Sequence, residues 1–483
     1  MPDVTRGQPA LRRTSHTKIV ATLGPASESP ETLARLLAAG ADVFRINTAH
    51  GTAEDHARLL AAVRAASDDA GHPAAVLVDL AGPKMRLGQL PGDEVTCKSG
   101  EKICFVRGEY SEDPAELTCI YETLIDELSA GDRILLADGT VSLEVESVES
   151  TRAVCVVQQG GTVRSRQGVN LPGVKLKAAA LGDRDRAAAE WAAEAGADFL
   201  GLSFVRRAEE IFGLREIVER AGSDAQIVAK IEKPEALANL DAIIAAADAV
   251  MVARGDLGVE IDIARIAVVQ KEIVEACRKL HRPVIIATQM LDSMHHSRLP
   301  SRAEATDVAN AILDGADACM LSGETAVGDH PVEAVEMMHR IALATEPFAI
   351  RHGLTAAGES AVPGFHPITE AVTTAAAKIA EHLEARLIVV ATVTGRSALG
   401  VSQQRTFVPI VGVSDSPAVL RRMALYWGVV PIAAAPVESD ELLDFLRSNR
   451  LPGIATSPGD RVVMVAGTTG SDGRHNAVIV HQL

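Results

Sequence analysis

Gln226-Ile227-Val228-Ala229-Lys230-Ile231-Glu232 and Ala249-Val250-Met251-Val252-Ala253-Arg254-Gly255-Asp256 are two short β-branched runs that each end on charged side chains. Glu232 and Asp256 lie 24 residues apart, the span of one strand-helix-strand unit. Both carboxylates are therefore expected side by side at one edge of a parallel sheet. Lys230 and Glu232 are two apart on a strand and share a face. A lysine beside two carboxylates suggests a divalent cation that holds a phosphorylated or enolate-like substrate.

Working outward, runs of the same kind start near residues 18, 42, 75, 198, 226, 249, 283 and 317. Successive starts are 23 to 34 residues apart except for one gap of 123. Eight βα units close a (β/α)₈ TIM barrel, which predicts a catalytic domain over 18–86 and 172–345. The long gap leaves on the order of 90 extra residues, enough for a small domain. That insert, 87–171, is rich in glycine and in alternating valines such as Val141 to Val145, and it reads as a β-barrel lid on the rim of the site. After residue 345 the pattern restarts at Ile388-Val389-Val390, Ile410 to Val413 and Val462 to Val465, which predicts a C-terminal α/β domain over 346–483. Residues 356–367, with glycine and proline, lie between them.

Composition narrows the function classes. At 483 residues the chain exceeds one ordinary domain, and a net charge of −17 argues against nucleic acid, whose binding draws on clustered Lys and Arg. A phosphate-bearing small molecule stays possible, since a few cations focused in a cleft outweigh a diffuse acidic surface. Aromatics are only 3%, so the core must be built from Ala, Val, Ile and Leu. No apolar run approaches the ~18 residues of a spanning helix. The six cysteines, without a C-x-x-C pair, fit reduced thiols in a cytoplasmic protein. Residues 1–17 have no apolar signal region and are expected to be a disordered tail.

Barrel enzymes place their chemistry at the C-terminal ends of the strands. Here the runs end in Thr22, Arg45 with Asn47, Asp79, Ser203, Lys230 with Glu232, Arg254 with Asp256, Thr288 with Gln289, and Ser322 with Glu324. Solvation of strand ends explains a few polar residues and explains eight of eight poorly. Arg45, Arg86, Lys230 and the carboxylate pair are the parts that phosphoryl transfer requires. Gly255 to Gly258 is expected to open a turn whose free N–H groups accept a carboxylate. Elsewhere, Ser301-Arg302-Ala303-Glu304 has the form of a helix capping box. His295 and His296 read as a solvated loop, because no third ligand stands at metal spacing. The loop Thr392-Val393-Thr394-Gly395-Arg396-Ser397 follows a strand and precedes a helix, so it either receives an anion or caps that helix.

These motifs resemble the pyruvate kinase family over nearly the whole chain. The resemblance rests on residues 17–27 (TKIVATLGPAS), Lys230-Ile231-Glu232, residues 251–258 (MVARGDLG), Ala287-Thr288-Gln289-Met290, residues 302–310 (RAEATDVAN) and residues 320–326 (MLSGETA). It implies transfer of a phosphoryl group from phosphoenolpyruvate to ADP, giving pyruvate and ATP. It further implies Mg²⁺ (or Mn²⁺) on Glu232 and Asp256, and Lys230 as the cation that stabilises the moving phosphoryl group. Arg45 and Arg86 would hold phosphate, and Gly255 and Asp256 would offer N–H groups to the substrate carboxylate. Thr288 would orient protonation of the enolpyruvate, while Asn47, His50, Arg86 and Asp138 fall on the nucleotide side. A homotetramer is implied in the same way, and the 468–474 loop resembles the family's second effector loop in place but lacks its usual tryptophan. The sequence does not fix the effector; Thr392, Thr394, Gly395, Arg396 and Ser397 are the candidate site, with a sugar phosphate or AMP as candidate ligands.

Three departures stand out. The family's N-F-S-H-G reads Asn47-Thr48-Ala49-His50-Gly51 here, which loses a serine that helps bind K⁺. Its D-T-K-G-P-E reads Asp79-Leu80-Ala81-Gly82-Pro83-Lys84, so Lys84 either replaces the monovalent cation with a fixed charge, removing the need for K⁺, or is a solvated rim residue. Gln167 stands where a nucleotide-contacting lysine is usual, with Arg166 beside it. Two other readings stay open: a metal-dependent lyase or aldolase acting through a pyruvate enolate, and a non-catalytic or weakly active paralogue that senses sugar phosphates.

Overall fold

The computed structural model describes residues 15–83, 85–137, 139–174, 179–352, 365–432, 439–448, 454–467 and 476–483. Lys84, Asp138, most of the 356–367 segment and the 468–474 loop lie outside the described residues.

Eight parallel strands close into a barrel: β1 Lys18–Thr22, β2 Val43–Asn47, β3 Ala75–Asp79, β4 Phe199–Leu202, β5 Gln226–Ile231, β6 Ala249–Ala253, β7 Val284–Ala287 and β8 Ala318–Leu321. Each pairs with its sequence neighbours, and β1 pairs β8 to close the ring. Alternation sorts the side chains into two layers. Val20, Leu77, Phe199, Val228, Met251, Ile285 and Met320 fill the interior. Ile19, Val76, Ile227, Val250 and Ile286 face the helices. These residues are almost completely buried, contributing about 1.5–3 kcal/mol apiece for the large side chains. Local signals agree with this. The Ala53–Ala70 helix opens on a Thr52/Asp55 capping box, and Ser301 and Glu304 form the expected box at the start of the Arg302–Asp314 helix.

Between β3 and β4 the chain builds a curled six-stranded sheet and a two-stranded ribbon. After the barrel, a five-stranded sheet orders Val429–Pro431, Ile410–Val413, Leu387–Ala391, Arg461–Gly467 and Asn476–Gln482, the last strand antiparallel. The boundary expected at residue 345 falls inside one continuous helix, Pro331–Arg351, because buried positions such as Val335, Met338, Ala342 and Ala349 keep their helical spacing across it.

Ser15, His16 and Thr17 correct the expectation of a disordered tail through residue 17. The backbone N–H groups of His16 and Thr17 donate to the Glu346 carboxylate at 2.9 and 2.8 Å, and the His16 ring stacks on Trp427. A polar segment is held because a buried carboxylate needs donors.

The base of the barrel carries a four-fold repeat. Ala-Asp precedes every even strand, at Asp42, Asp198, Asp248 and Asp317. Each aspartate accepts a backbone N–H from the start of the preceding odd strand: Ile19, Val76 and Ile227 at 2.8 Å, Val284 at 2.9 Å. Each also meets a cation: Lys18, Arg64 with Arg421, Arg215 and Arg405 respectively. Arg405 and Arg421 come from the C-terminal domain, and Lys18 Nζ donates to the Val429 carbonyl at 2.5 Å, so this ring also fastens that domain.

Candidate active site

β5 ends by turning Lys230 inward above Val228, and its ammonium is enclosed by the ends of β3 and β4 and of β5 itself. Nζ donates to Ser203 Oγ at 2.6 Å and lies 3.2 Å from Asp79 Oδ1 and 2.9 Å from Glu232 Oε1. Arg45, two strands from Lys230's neighbour β4, grips the other Asp79 oxygen through Nε at 2.8 Å and Nη2 at 2.6 Å, and reaches Thr22 Oγ1 at 3.2 Å. Burial disfavours charge on Lys230, but Asp79 and Glu232 override it and hold the amine protonated well above its ordinary range. Burial likewise raises the Asp79 carboxyl, and Lys230 and Arg45 more than offset it, so Asp79 is held below the usual carboxylate range.

Glu232 differs. Burial, with the Asp256 charge nearby, keeps its carboxyl above the usual range despite Lys230 and the Phe204 N–H, which donates to Oε2 at 2.8 Å. Its Oε1 and Asp79 Oδ1 are both buried, and both lie within ion-pair distance of the Lys230 ammonium. Phe204 presents its N–H from a left-handed backbone, φ 56°. Gly82 makes room for it, since a Cβ there would sit 2.7 Å from the Phe204 ring.

Asp256 stands on the adjoining element, and here the turn expected at Gly255 to Gly258 is a short helix, Arg254–Glu260. The Gly255 N–H is not free: it donates to Thr288 Oγ1 at 2.7 Å, and that hydroxyl donates to the Ala287 carbonyl at 2.7 Å. Thr288 and Gln289 both take positive φ, 69° and 52°, which swings the end of β7 across to cap the helix. Arg254 fixes the same corner through Asp307 at 2.7 Å and the Thr288 carbonyl at 3.0 Å.

Two cavities flank this centre. One, of about 330 Å³, lies between the insert and the barrel and brings Arg86, Arg166 and Gln167 to Asp256 and Lys233. The other, of about 610 Å³, gathers Thr22, Arg45, Asn47, His50 and Ser322. Arg86 is therefore not brought beside Asn47 and His50. It donates to the Arg166 carbonyl at 3.1 Å, while Gln167 Oε1 accepts the Arg164 N–H at 2.6 Å and so is folded back onto its own turn. Remote from both, Thr392 Oγ1 accepts the Gly395 N–H at 3.0 Å ahead of the Arg396–Gln403 helix, with Thr394 and Arg396 exposed and Ser397 half-buried. His295 bonds the Asp292 carbonyl and His296 the Asp329 carboxylate.

Asp79, Ser203 and Phe204 complete the site beyond the residues assigned roles from the sequence. Asp79 and Ser203 carry a signal, since each ends a strand run. Phe204 carries none, because it acts through its backbone.

Glu232 and Asp256 suit a hard divalent cation: oxygen donors on adjacent elements, close enough that the Asp256 charge raises the buried Glu232 carboxyl. Among the described residues no group of three or more His, Cys, Asp or Glu is placed to hold a metal, so remaining ligands would have to come from substrate and water.

A buried lysine among carboxylates at the mouth of a closed (β/α)₈ barrel, with Arg45 and Arg86 in the flanking cavities, defines a barrel phosphotransferase. Residues 14–335 match the family model for the pyruvate kinase barrel domain, and residues 370–481 that for the pyruvate kinase alpha/beta domain. The chain belongs to the pyruvate kinase family. It is 42% identical to the pyruvate kinase of Geobacillus stearothermophilus over 470 residues, covering 96% of this chain and 80% of the relative. It is 42% identical to that of Agrobacterium vitis over 460 residues (95% and 94%), and 39% identical to that of Mycobacterium tuberculosis strain H37Rv over 475 residues (97% and 99%).

Proposed function

We propose that the protein transfers the phosphoryl group of phosphoenolpyruvate to ADP, giving ATP and, after protonation of the enolate at its methylene carbon, pyruvate. The observation that carries this reading is Lys230, buried and held protonated between Asp79, Glu232 and Ser203 beside the Asp256-bearing helix. A fixed cation in a water-poor site stabilises charge that develops on the phosphoryl and enolate oxygens without reorganisation. Arg45 and Arg86 neutralise phosphate oxygens from the two flanking cavities. Gly255 and Asp256 present backbone N–H groups to the substrate carboxylate, for which Thr288 Oγ1 must give up its bond to Gly255, leaving the hydroxyl to orient the proton. Asn47, His50 and Asp138 take the nucleotide side.

Glu232 and Asp256 would hold Mg²⁺ or Mn²⁺, which would neutralise phosphate charge when bound. K⁺ is not required, on the strength of Ala49 and Lys84. In the described part of that loop, Thr48 Oγ1 donates to the Asp79 carbonyl and accepts the Ala81 N–H, both at 3.1 Å, and the Arg184 guanidinium donates to the Thr48 carbonyl at 3.1 Å. A cytoplasmic homotetramer, with a sugar phosphate or AMP bound at Thr392 to Ser397, completes the proposal; no helix among the described residues is long and apolar enough to cross a membrane.

The test is coupled ATP formation from phosphoenolpyruvate and ADP with Mg²⁺ in Na⁺ and in K⁺ buffers. Equal rates are expected. No ATP in either buffer overturns the reaction, and ATP only with K⁺ overturns the cation assignment alone.

A further inference from the structure

A second buried ion pair lies one residue beyond the first. Lys233 Nζ donates to Glu260 Oε1 at 2.5 Å, with both residues under one-tenth exposed. Lys233 directly follows Glu232 in the chain. Glu260 follows Asp256 by four residues, one turn along the same helix face. The pair therefore runs parallel to the gap that the two carboxylates must share.

The surrounding contacts fix both partners. Lys233 Nζ sits 5.7 Å above the Phe204 ring, and the N–H of that same Phe204 holds Glu232 Oε2. The first turn of the helix is held by Thr288 through Gly255, and its last turn by Lys233 through Glu260. Asp256 lies between the two anchors. Burial, with Glu235 and Asp256 nearby, raises the Glu260 carboxyl, and Lys233 works against this. A buried ion pair stabilises no better than apolar residues of similar size, so stability alone is a poor account of it.

We propose that Lys233 and Glu260 are positioning residues for the divalent-cation site: their ion pair locks the Arg254–Glu260 helix to the end of β5 and presets the separation of Glu232 and Asp256. This rests on the assignment of those two carboxylates as cation ligands. The Lys233 ammonium is engaged by Glu260 rather than by Glu232 or Asp256. The pair acts through Asp256, as partners behind a ligand do when they orient it.

The experiment measures Mn²⁺ binding to the full-length protein without substrates, by the electron-spin resonance of free Mn²⁺. Lys233→Met and Glu260→Gln are expected to raise the Mn²⁺ Kd about tenfold or more. Lys233→Arg keeps it within about threefold. Should Lys233→Met fail to fold, Lys233→Met/Glu260→Met removes both buried charges together and is expected to show the same loss. Wild-type Mn²⁺ affinity in either folded variant, while Glu232→Gln loses binding, overturns the positioning role and leaves the ligands standing. Wild-type affinity in both Glu232→Gln and Asp256→Asn overturns the ligand assignment, and the positioning role with it.

Discussion

At the base of the barrel four aspartates each hold a backbone N–H and meet at least one cation, whereas at the mouth two buried carboxylates, Asp79 and Glu232, share the single ammonium of Lys230. The two ends use the same chemistry for opposite purposes. At the base, one carboxylate oxygen fixes strand register while carboxylates and cations also tie the C-terminal domain on. At the mouth, two carboxylates share one ammonium, and Glu232 is kept above its usual pKa range by burial and by Asp256. A buried carboxylate with a raised pKa beside a buried cation in a barrel mouth is the mark of a functional site. The base is not perfectly closed: Arg405 Nε and Nη1 lack hydrogen bonds, and its guanidinium stacks over Trp427 at 4.9 Å instead.

The sharpest way to break this comparison is Lys230→Met. Its kcat/KM for ATP formation is expected to fall about 10³-fold, since one preorganised cation is lost at the reacting centre. Activity within tenfold of wild type would make the mouth cluster structural, like the base. The converse change is Asp317→Ala, which strands the buried Arg405 and is expected to cost about 3–5 kcal/mol in urea unfolding. Its folded fraction should keep kcat within about twofold. A kcat loss without a stability loss would show that the two ends are not independent.

Smaller changes sharpen the picture. Thr288→Val removes the hydroxyl that bridges Gly255 and Ala287 and should lower kcat about tenfold to 10²-fold, with Thr288→Ser restoring most of it. Burial pushes the thiols of Cys155 and Cys319 up to about 12. Both should resist iodoacetamide at pH 8 in the native protein and react on unfolding. Because unfolded thiols ionise near pH 8.5 and these do not until about 12, their contribution to stability is complete below about pH 8.5 and declines as pH rises above it. Thermal melts between pH 7.5 and 10 read that decline. Ser301→Ala, which breaks the capping box far from the chemistry, should cost about 1 kcal/mol and leave kcat unchanged.

Much of the fold was legible. All eight strands begin within one residue of their expected positions, because β-branched runs at a βα spacing have few other ways to bury both faces. Strand alternation was enough to put Lys230 and Glu232 on one face. Less was legible where backbone conformation decides: the Gly255 to Gly258 turn became a helix capped by Thr288, whose positive φ has no sequence signature. The split of Arg86 from Asn47 and His50 into separate cavities was equally invisible, since all three are simply polar residues near strand ends. The 15–17 segment was misjudged because polar residues next to a chain end look the same in sequence whether they are solvated or bonded to a buried glutamate. The Ala-Asp repeat at the base was written in the sequence but acquires meaning only when the odd strands supply their N–H groups.

By itself, then, the sequence determined the barrel, the insert after β3, the family, and the carboxylate pair beside a lysine, because hydrophobic period and spacing are local properties of the chain. Only the tertiary structure decided the charge state and company of that lysine. Asp79, Ser203 and Glu232 reach it from β3, the end of β4 and the end of β5, up to about 150 residues apart in sequence, and the strength of their fields depends on a burial that exists only once the barrel has closed.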